Sequence, residues 1–300
     1  MISGNDETQP ELQEGEEEPC RVMQPRRPGW KWVLDALLAA AVLVIVAVIE
    51  FGTFPNHKGG FYCGDPKISF KLQGDTIANE VLITGVLLIP AIAIWWVESC
   101  SLPPDISEKC NSAKDFLIAG LRQALWWYRG FLIGLILVLF VTEIGKVILG
   151  ETRPHFLYTC RPDKAVNCTP GSYVSDYTCT NKDDPYMDVS DSTRSFPSGH
   201  SSSSFYMSIF MMWYIQVRVH PDVSYVLIPW LHCLFFSWCL ACSLTRITDH
   251  RHHWWDVLAG SILGTIGAVF SVLVFCGGFL KNELRTRRKI DISFCENGRV

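Results

Sequence analysis

The sequence predicts an all-α membrane protein, a bundle of six transmembrane helices, and three observations lead to this prediction. Of its 300 residues, 49% are hydrophobic and only 19% are charged, whereas soluble domains average roughly 25% charged residues. The apolar residues form separate blocks, each close to the ~20 residues that an α-helix needs to cross a hydrocarbon core. Aromatic residues such as Trp95, Trp96 and Trp126 lie at block edges, as is typical of membrane interfaces.

Six blocks qualify as spans, and they divide the chain into a membrane domain and two tails. The spans cover residues 33–51, 81–97, 131–149, 205–219, 226–244 and 254–275, of which the fourth is short and interrupted by polar residues. A soluble protein with buried helices is the alternative, which so many apolar blocks disfavour. Residues 1–29 form an acidic tail that is predicted to be disordered; residues 30–280 form the six-span domain and residues 281–300 the C-terminal tail.

Basic residues predict that both termini face the cytosol, because cytosolic segments of membrane proteins are enriched in lysine and arginine. These residues cluster before span one, between spans two and three, and after span six. The opposite, luminal or extracellular face then holds residues 55–80, the long loop 150–204 between spans three and four, and the link 245–253. The long loop is also basic in places, so the bias is not uniform. The triplet Asn167-Cys168-Thr169 supports this orientation, because N-glycosylation of Asn167 requires exposure to the lumen.

Four cysteines lie in the two larger loops of this face: Cys63, Cys160, Cys168 and Cys179. An even number of cysteines outside the cytosol predicts two disulfides. The sequence does not choose among the three pairings that four cysteines allow.

Three polar clusters, at residues 146–154, 197–200 and 245–256, fall at this same edge of the membrane. They leave span three, enter span four and connect spans five and six, so topology alone brings them together. Cleavage of a phosphate ester requires fixed cationic donors around the phosphoryl oxygens. Lys146, Arg153 and Arg246 are the candidates, and the two arginines can bind phosphate in a bidentate manner. The alternative is that these side chains snorkel from helix ends.

The second cluster, Pro197-Ser198-Gly199-His200, is predicted to open a helix. The free amide groups of a first helical turn attract anions. Gly199 permits close approach of the backbone, and Ser198 adds a hydroxyl donor. His200 beside such a site could protonate a departing alkoxide. An ordinary helix start with a structural histidine is the alternative.

The third cluster contains His252 and Asp256, which share a face if helical geometry begins before Trp254. Asp256 would accept the proton of one imidazole nitrogen and orient the other nitrogen for attack. A histidine nucleophile gives a phosphohistidine that water hydrolyses later. The alternatives are a solvated turn rich in histidine and arginine, and a zinc site. Because the three clusters contain more cations than carboxylates, an anionic substrate is favoured over a metal ion.

Together the motifs Lys-x6-Arg-Pro, Pro-Ser-Gly-His and Arg-x5-His-x3-Asp resemble the three-part signature of the type 2 phosphatidate phosphatases. Residues 146–160, 195–202 and 252–257 are similar to animal lipid phosphate phosphatases, including the insect Wunen-type proteins, and the resemblance covers about residues 30–280. It implies phosphate ligands at Lys146, Arg153, Ser198, Gly199 and Arg246, with His252 as nucleophile, His200 as acid and Asp256 as the partner of His252. One departure is Thr245, which occupies a position usually held by serine.

The resemblance also implies substrates and surroundings. The expected substrates are phosphatidate, lysophosphatidate, ceramide 1-phosphate and sphingosine 1-phosphate, and the reaction requires no metal or other cofactor. The partners are lipid phosphates and membrane lipids rather than nucleic acid. The oligomeric state stays open, although members of the family often self-associate. We expect the plasma membrane, with internal membranes left open, because both place the loops outside the cytosol.

Two functions of other classes stay open. A catalytically inactive relative would bind lipid phosphates without hydrolysing them, but such relatives lose motif residues, and here every catalytic position is filled. A lipid phosphotransferase of the sphingomyelin-synthase type also uses two histidines and an aspartate on six spans. The Lys-x6-Arg-Pro cluster favours recognition of a phosphate monoester instead, and release of inorganic phosphate separates the two reactions.

Overall fold

The computed structural model of the chain describes residues 29–50, 57–101, 113–219 and 224–279. The predicted acidic tail, except for its last residue, and the whole predicted C-terminal tail lie outside these ranges. Residues 1–38 and 39–300 form two units. The described residues of the first unit belong to a single helix, and the second unit contains all three polar clusters. The division into two tails and a six-span domain stays a prediction.

The described residues form eight α-helices and one two-stranded sheet. The helices are α1 (Gly29–Glu50), α2 (Asn79–Cys100), α3 (Ala113–Leu149), α4 (Phe156–Cys160), α5 (Tyr186–Asp191), α6 (Gly199–Arg218), α7 (Leu227–Thr248) and α8 (Trp254–Val274). The strands β1 (Phe61–Tyr62) and β2 (Tyr173–Val174) pair antiparallel, with Phe61 opposite Val174. The sheet therefore joins the loop before α2 to the long loop between α3 and α6.

Four helices in the described part of the chain are long and apolar enough to cross a membrane: α2, the Gly120–Leu149 part of α3, α7 and α8. They coincide with predicted spans two, three, five and six, which confirms a mostly helical, multi-pass protein. At the positions of spans one and four, α1 contains a shorter apolar stretch, Ala36–Ile49, and α6 carries buried serines. The six-span count and the cytosolic placement of the termini stay predictions.

Small residues allow α6 and α8 to pack backbone against backbone. A Cβ atom on Gly264 of α8 would lie 2.2 Å from the carbonyl oxygen of Ser202, and one on Gly260 would lie 2.5 Å from that of Ser198. Contact faces of small residues are typical of helices that associate in membranes, where close packing rather than water exclusion favours association. This contact holds the first turn of α6 against the start of α8.

The far ends of α2 and α6 are joined by a buried polar cluster. Arg218 pairs with Glu98 through two nitrogens, each 2.9 Å from a carboxylate oxygen, and the Tyr214 hydroxyl donates to Glu98 at 2.8 Å. A buried ion pair is tolerated when further hydrogen bonds satisfy both groups. Tyr214 and Arg218 lie at the C-terminal end of α6 and Glu98 at the C-terminal end of α2, so they anchor the bundle opposite the polar clusters.

The outer loops have a small hydrophobic core of their own, in which Phe61 packs against Phe156 and Tyr177. Disulfides join Cys63 to Cys168 and Cys160 to Cys179. The prediction of two disulfides among these cysteines is thus confirmed, and the fold selects one of the three pairings. The loops that border the candidate site are cross-linked to each other.

Candidate active site

The three polar clusters meet at one end of the bundle, where α3 and α7 end and where α6 and α8 begin. Alternating helix directions bring these ends to the same side, as the topology predicted. Hydrogen bonds to main-chain oxygens join the clusters: Ser198 N donates to Asp256 at 3.1 Å and Arg153 Nη1 to Arg251 at 3.3 Å. Ser195 N, two residues before the second cluster, donates to Glu151 of the first at 2.9 Å. The relative positions of the clusters are therefore set by the backbone as well as by side chains.

His252 and Asp256 are neighbours although His252 lies outside a helix. The helix α8 begins at Trp254 with His253 as its N-cap, so the condition for a shared helix face, helical geometry before Trp254, is not met. The link after α7 instead folds back, and His252 N donates to the carbonyl oxygen of Arg246 at 3.1 Å. Asp256 accepts from His253 N at 2.9 Å, as in a capping box. The two effects bring His252 Nδ1 to 3.6 Å from Asp256 Oδ2.

Ser195 lies between the two side chains and was not predicted from the sequence. Its hydroxyl donates to Asp256 Oδ2 at 2.5 Å and lies 3.5 Å from His252 Nδ1. Asp256 Oδ2 is thus held by two donors, and His252 Nδ1 faces that oxygen at slightly more than a hydrogen-bond length. The only signal for Ser195 in the sequence is its position two residues before the Pro-Ser-Gly-His motif.

The surroundings of His252 favour its neutral form. The side chain is buried with 4% exposure. Burial lowers the pKa of His252 to about 4; the positive charge of Arg153 also lowers it, whereas the hydrogen bond and charge of Asp256 raise it. Above that pH the imidazole is neutral, and one of its two nitrogens has a free lone pair. A neutral imidazole held at one nitrogen by a carboxylate is the form that can attack an electrophile with the other nitrogen.

Each of the three predicted phosphate-binding cations is buried and held by a carboxylate. The pairs are Lys146–Glu143 at 2.6 Å, Arg153–Asp191 at 2.7 Å, Arg246–Asp75 at 2.9 Å and Arg246–Asp249 at 3.1 Å. Such pairing is required because the desolvation of an isolated buried charge costs on the order of several kcal/mol. Three of these acids, Glu143, Asp191 and Asp75, come from outside the clusters, so carboxylates from other segments offset the excess of cations that the clusters themselves contain.

The motif Pro197-Ser198-Gly199-His200 opens α6 as predicted, with Ser198 as the N-cap residue. A Cβ atom on Gly199 would lie 3.7 Å from Lys146 Nζ, so the ammonium group lies over the first turn of the helix. Gly145 makes this approach feasible, because a Cβ there would lie 2.8 Å from the Pro197 ring. The lysine and the free amides of the turn together form a surface suited to an anion.

His200 belongs to the same group of side chains. Its Nε2 atom is buried and has no hydrogen-bond partner among the residues that the structure describes. The charges of Arg246 and His252 both act on its ring. The structure thus brings the predicted acid and the predicted nucleophile into one electrostatic environment.

Arg246 is fixed by the loop before α2. Asp75 of this loop bridges Arg246 and Arg251, with distances of 2.9 and 2.8 Å, and Phe70 stacks on His250 with ring centroids 4.1 Å apart. Neither loop residue was predicted, because about 170 residues separate Asp75 from Arg246 and no motif marks the loop. Arg246 Nε is buried and has no partner in the described ranges.

His155 is a further buried side chain beside these cations. Burial, with the charges of Arg153 and Arg251, lowers the pKa of His155 to about 3, so the ring is neutral near pH 7. Its Nδ1 contacts Thr159 Oγ1 at 2.8 Å, and its Nε2 has no partner within the described residues. A neutral ring with one open nitrogen can add a hydrogen bond to a bound oxyanion.

Two other predicted features can be placed. The hydroxyl of Thr245 donates to the carbonyl oxygens of Ala241 and Cys242, at 2.9 and 3.2 Å, so it is engaged by its own helix. Asn167 is exposed and precedes a disulfide-bonded cysteine. No three histidine, cysteine, aspartate or glutamate side chains within the described ranges are arranged to hold a metal ion. The expectation of metal-independent chemistry stays a prediction.

Residues 127–276 match the model of the PAP2 superfamily, half of the chain, and these residues include all three clusters. The chain is 32% identical to phospholipid phosphatase 1 of Rattus norvegicus over 271 residues, which cover 89% of this chain and 92% of that protein. It is also 32% identical to phospholipid phosphatase 2 of Bos taurus over 246 residues, which cover 81% and 82% of the two chains. No solved structure has a significant match to this chain.

Proposed function

Because the chain belongs to the PAP2 superfamily, we propose that it is a membrane enzyme that hydrolyses lipid phosphate monoesters through a phosphohistidine at His252. The family and the similar phospholipid phosphatases support the general activity, a phosphatase that acts on lipid phosphates. The observation that supports the mechanism best is the buried, neutral His252, with Asp256 at Nδ1 and the cations Lys146 and Arg153 acting on it.

The first step of the proposed reaction forms the phosphohistidine. The dianionic phosphate of the bound substrate favours protonation of His200, which takes its proton from solvent as the substrate binds. His252 Nε2 attacks phosphorus while the bond to the lipid oxygen breaks, and His200 gives its proton to that oxygen. Asp256 stabilises the positive charge that develops on the imidazole. In the second step water attacks the phosphohistidine, His200 takes a proton from that water, and inorganic phosphate leaves. His252 returns to its neutral form.

The cations hold the phosphoryl oxygens in this proposal. An ammonium group has three N–H donors and a guanidinium has five, so Lys146 and Arg153 can bind phosphate while they keep their carboxylate partners. Arg246 contributes its buried Nε, which has no partner in the described part of the chain. The first turn of α6 supplies main-chain donors from Gly199 onward, and Ser198 can donate through its hydroxyl, because its main-chain N–H already donates to the Asp256 carbonyl oxygen. The carboxylates keep the cations in place before the substrate binds.

The position of the site at helix ends supports lipid substrates, because a lipid phosphate group lies at that depth in a bilayer. We propose phosphatidate, lysophosphatidate, ceramide 1-phosphate and sphingosine 1-phosphate, which all present a phosphate monoester. We also propose six spans, including α1 and α6, with cytosolic termini, and an extracellular or luminal site in the plasma membrane. The two disulfides beside the site support this side, since disulfides form in oxidising compartments.

A phosphate-release assay tests the proposed function. The purified full-length chain is incubated with vesicles that contain each lipid phosphate in turn, with and without a chelator. We expect inorganic phosphate from lipid monoesters at rates that the chelator does not change. Loss of activity with the chelator would contradict the metal-independent mechanism. Transfer of a headgroup without free phosphate, or lipid binding without turnover, would support the two alternative functions instead.

The proposed side of the membrane predicts a glycan on Asn167. In cells that glycosylate proteins, Asn167→Gln is expected to remove the mobility shift that an N-glycosidase removes from the wild type. Thr169→Ala destroys the same acceptor while it keeps the asparagine, and Thr169→Ser is the matched control that retains it. An unglycosylated wild-type chain, together with cytosolic accessibility of the long loop, would contradict this topology.

A further inference from the structure

Glu151 has no part in the mechanism above, yet its carboxyl group touches the residues that support the nucleophile. Its Oε1 accepts from Trp255 Nε1 at 2.7 Å, and its main-chain oxygen accepts from Ser195 N at 2.9 Å. The negative charge of Asp256 and a side-chain hydrogen bond to that carboxylate both act on the Glu151 carboxyl group. The two acids therefore interact, and Asp256 in turn lies 3.6 Å from Nδ1 of His252.

This contact bears on an unusual property of Asp256. The side chain is fully buried; Oδ2 accepts from Ser195 and from His253 N, but Oδ1 has no donor among the described residues. A buried acceptor without a donor is costly, and two ionised carboxylates repel each other and cannot donate. A single proton shared by Glu151 and Asp256 gives the unpaired acceptor a donor and removes the repulsion between the two carboxylates, because it converts the contact into a hydrogen bond.

We infer that Glu151 is a positioning residue that carries this proton, so that its carboxylic acid donates to Asp256 and holds that carboxylate toward Nδ1 of His252. The inference deepens the proposed function and rests on the roles proposed there for His252 and Asp256. The location of the proton follows from the surroundings. Two donors and an adjacent imidazole favour the ionised form of Asp256, whereas the donor to the Glu151 carboxyl group is the indole of Trp255. The proton is therefore more stable on Glu151 than on Asp256.

Because Glu151 can ionise, its role as a donor predicts how kcat changes with pH. Burial, together with the charge of Asp256, raises the pKa of Glu151 to about 7. Among the described residues, Asp256 of α8 is the titratable group whose charge acts on Glu151. His253 stacks on Trp255 and His252 lies beside Asp256, while the segment before α6 contributes Ser195, which does not titrate. Below pH 7 the acid donates to Asp256. Above pH 7 the donor is lost and a second negative charge lies beside Asp256, so kcat is expected to fall.

The test is the pH profile of kcat for phosphate release from a short-chain phosphatidate in detergent micelles. The wild type is expected to lose activity as the pH rises from 6.5 to 8.5. In Glu151→Gln, the amide donates to Asp256, accepts from Trp255 and cannot ionise. The ratio of kcat at the higher pH to kcat at the lower pH is therefore expected to rise about tenfold over the wild-type ratio. Ionisation of the substrate is the same for every variant and cancels in this comparison.

Two further variants keep the test decisive. Glu80→Gln changes an exposed glutamate at the start of α2 and is expected to keep the wild-type profile. Trp255→Phe removes the donor that favours ionised Glu151, so the loss of activity should move to higher pH. This shift tests the inference even if Glu151→Gln does not fold.

A wild-type profile in Glu151→Gln, or no upward shift in Trp255→Phe, would overturn the inference. Failure of the proposed function has a different signature, since His252→Ala would then still release phosphate. An inactive His252→Ala combined with an unchanged Glu151→Gln profile rejects the role of Glu151 alone.

Discussion

The His252→Ala variant is expected to release phosphate at least about 10³-fold more slowly than the wild type, because it removes the nucleophile rather than a group that assists it. The fold should survive, since the contact that shapes the link is made by the main chain: His252 N donates to the Arg246 carbonyl. The measurement is the rate of phosphate release from phosphatidate vesicles at equal amounts of folded enzyme.

A matched control and a trapping experiment complete this test. His57→Ala changes an exposed histidine of the loop before α2 and should keep the wild-type rate. Wild-type enzyme that is denatured during turnover of labelled lipid phosphate should retain acid-labile label, as expected for a phosphohistidine, and His252→Ala should retain none. Normal turnover by His252→Ala, or label that resists acid, would move the nucleophile to another residue.

The Gly264→Val variant is expected to lose both its stable fold and its activity. A Cβ atom at this position would lie 2.2 Å from the carbonyl oxygen of Ser202 and 3.0 Å from the main-chain nitrogen of Tyr206. Both contacts are with the backbone of α6, so no side-chain rotation can relieve them. Overpacking costs about 1–3 kcal/mol, and more where the backbone must move; we expect the upper part of that range.

The loss of activity follows from the position of this contact. When α8 moves away from α6, Asp256 and the first turn of α6 separate, and the hydrogen bond from Ser198 N to the Asp256 carbonyl is broken. The melting temperature in detergent and the rate of phosphate release measure the two effects. Gly74→Val is the matched control, because a Cβ at Gly74 meets no atom within 4 Å. An unchanged melting temperature for Gly264→Val would show that the helices are less closely packed.

Patterns that are local in sequence predicted much of this molecule. The apolar blocks predicted α2, α3, α7 and α8, because the length of a span follows from bilayer thickness. The start of α6 at Pro-Ser-Gly-His followed from the capping preferences of its first residues. The convergence of the three clusters required only that successive spans alternate in direction. These features depend on neighbouring residues, so the sequence shows them directly.

The structure brings His252 and Asp256 together as the sequence indicated, but not through the shared helix face on which that interpretation depended. Spacing of four residues suggested a shared helix face, whereas α8 begins only at Trp254. The contact arises because the link folds back onto Arg246, and Ser195 fills the space between the two side chains. Such geometry depends on the turn after α7 and on a residue from another segment, which periodicity does not report.

By itself the sequence determined the helical membrane architecture, the common end of the three motifs and the chemical character of the candidate site. Only the tertiary structure decided which carboxylates hold the cations, which cysteines pair and which acid faces Asp256. The physical reason is that a buried charge needs an opposite charge within about 4 Å, and a disulfide forms only where the fold brings two cysteine Cα atoms to about 4.4–6.8 Å. Asp75 reaches Arg246 from the loop before α2 and Asp191 reaches Arg153 from the end of α5, and the neighbours of Glu151 exist only after α6 and α8 have packed.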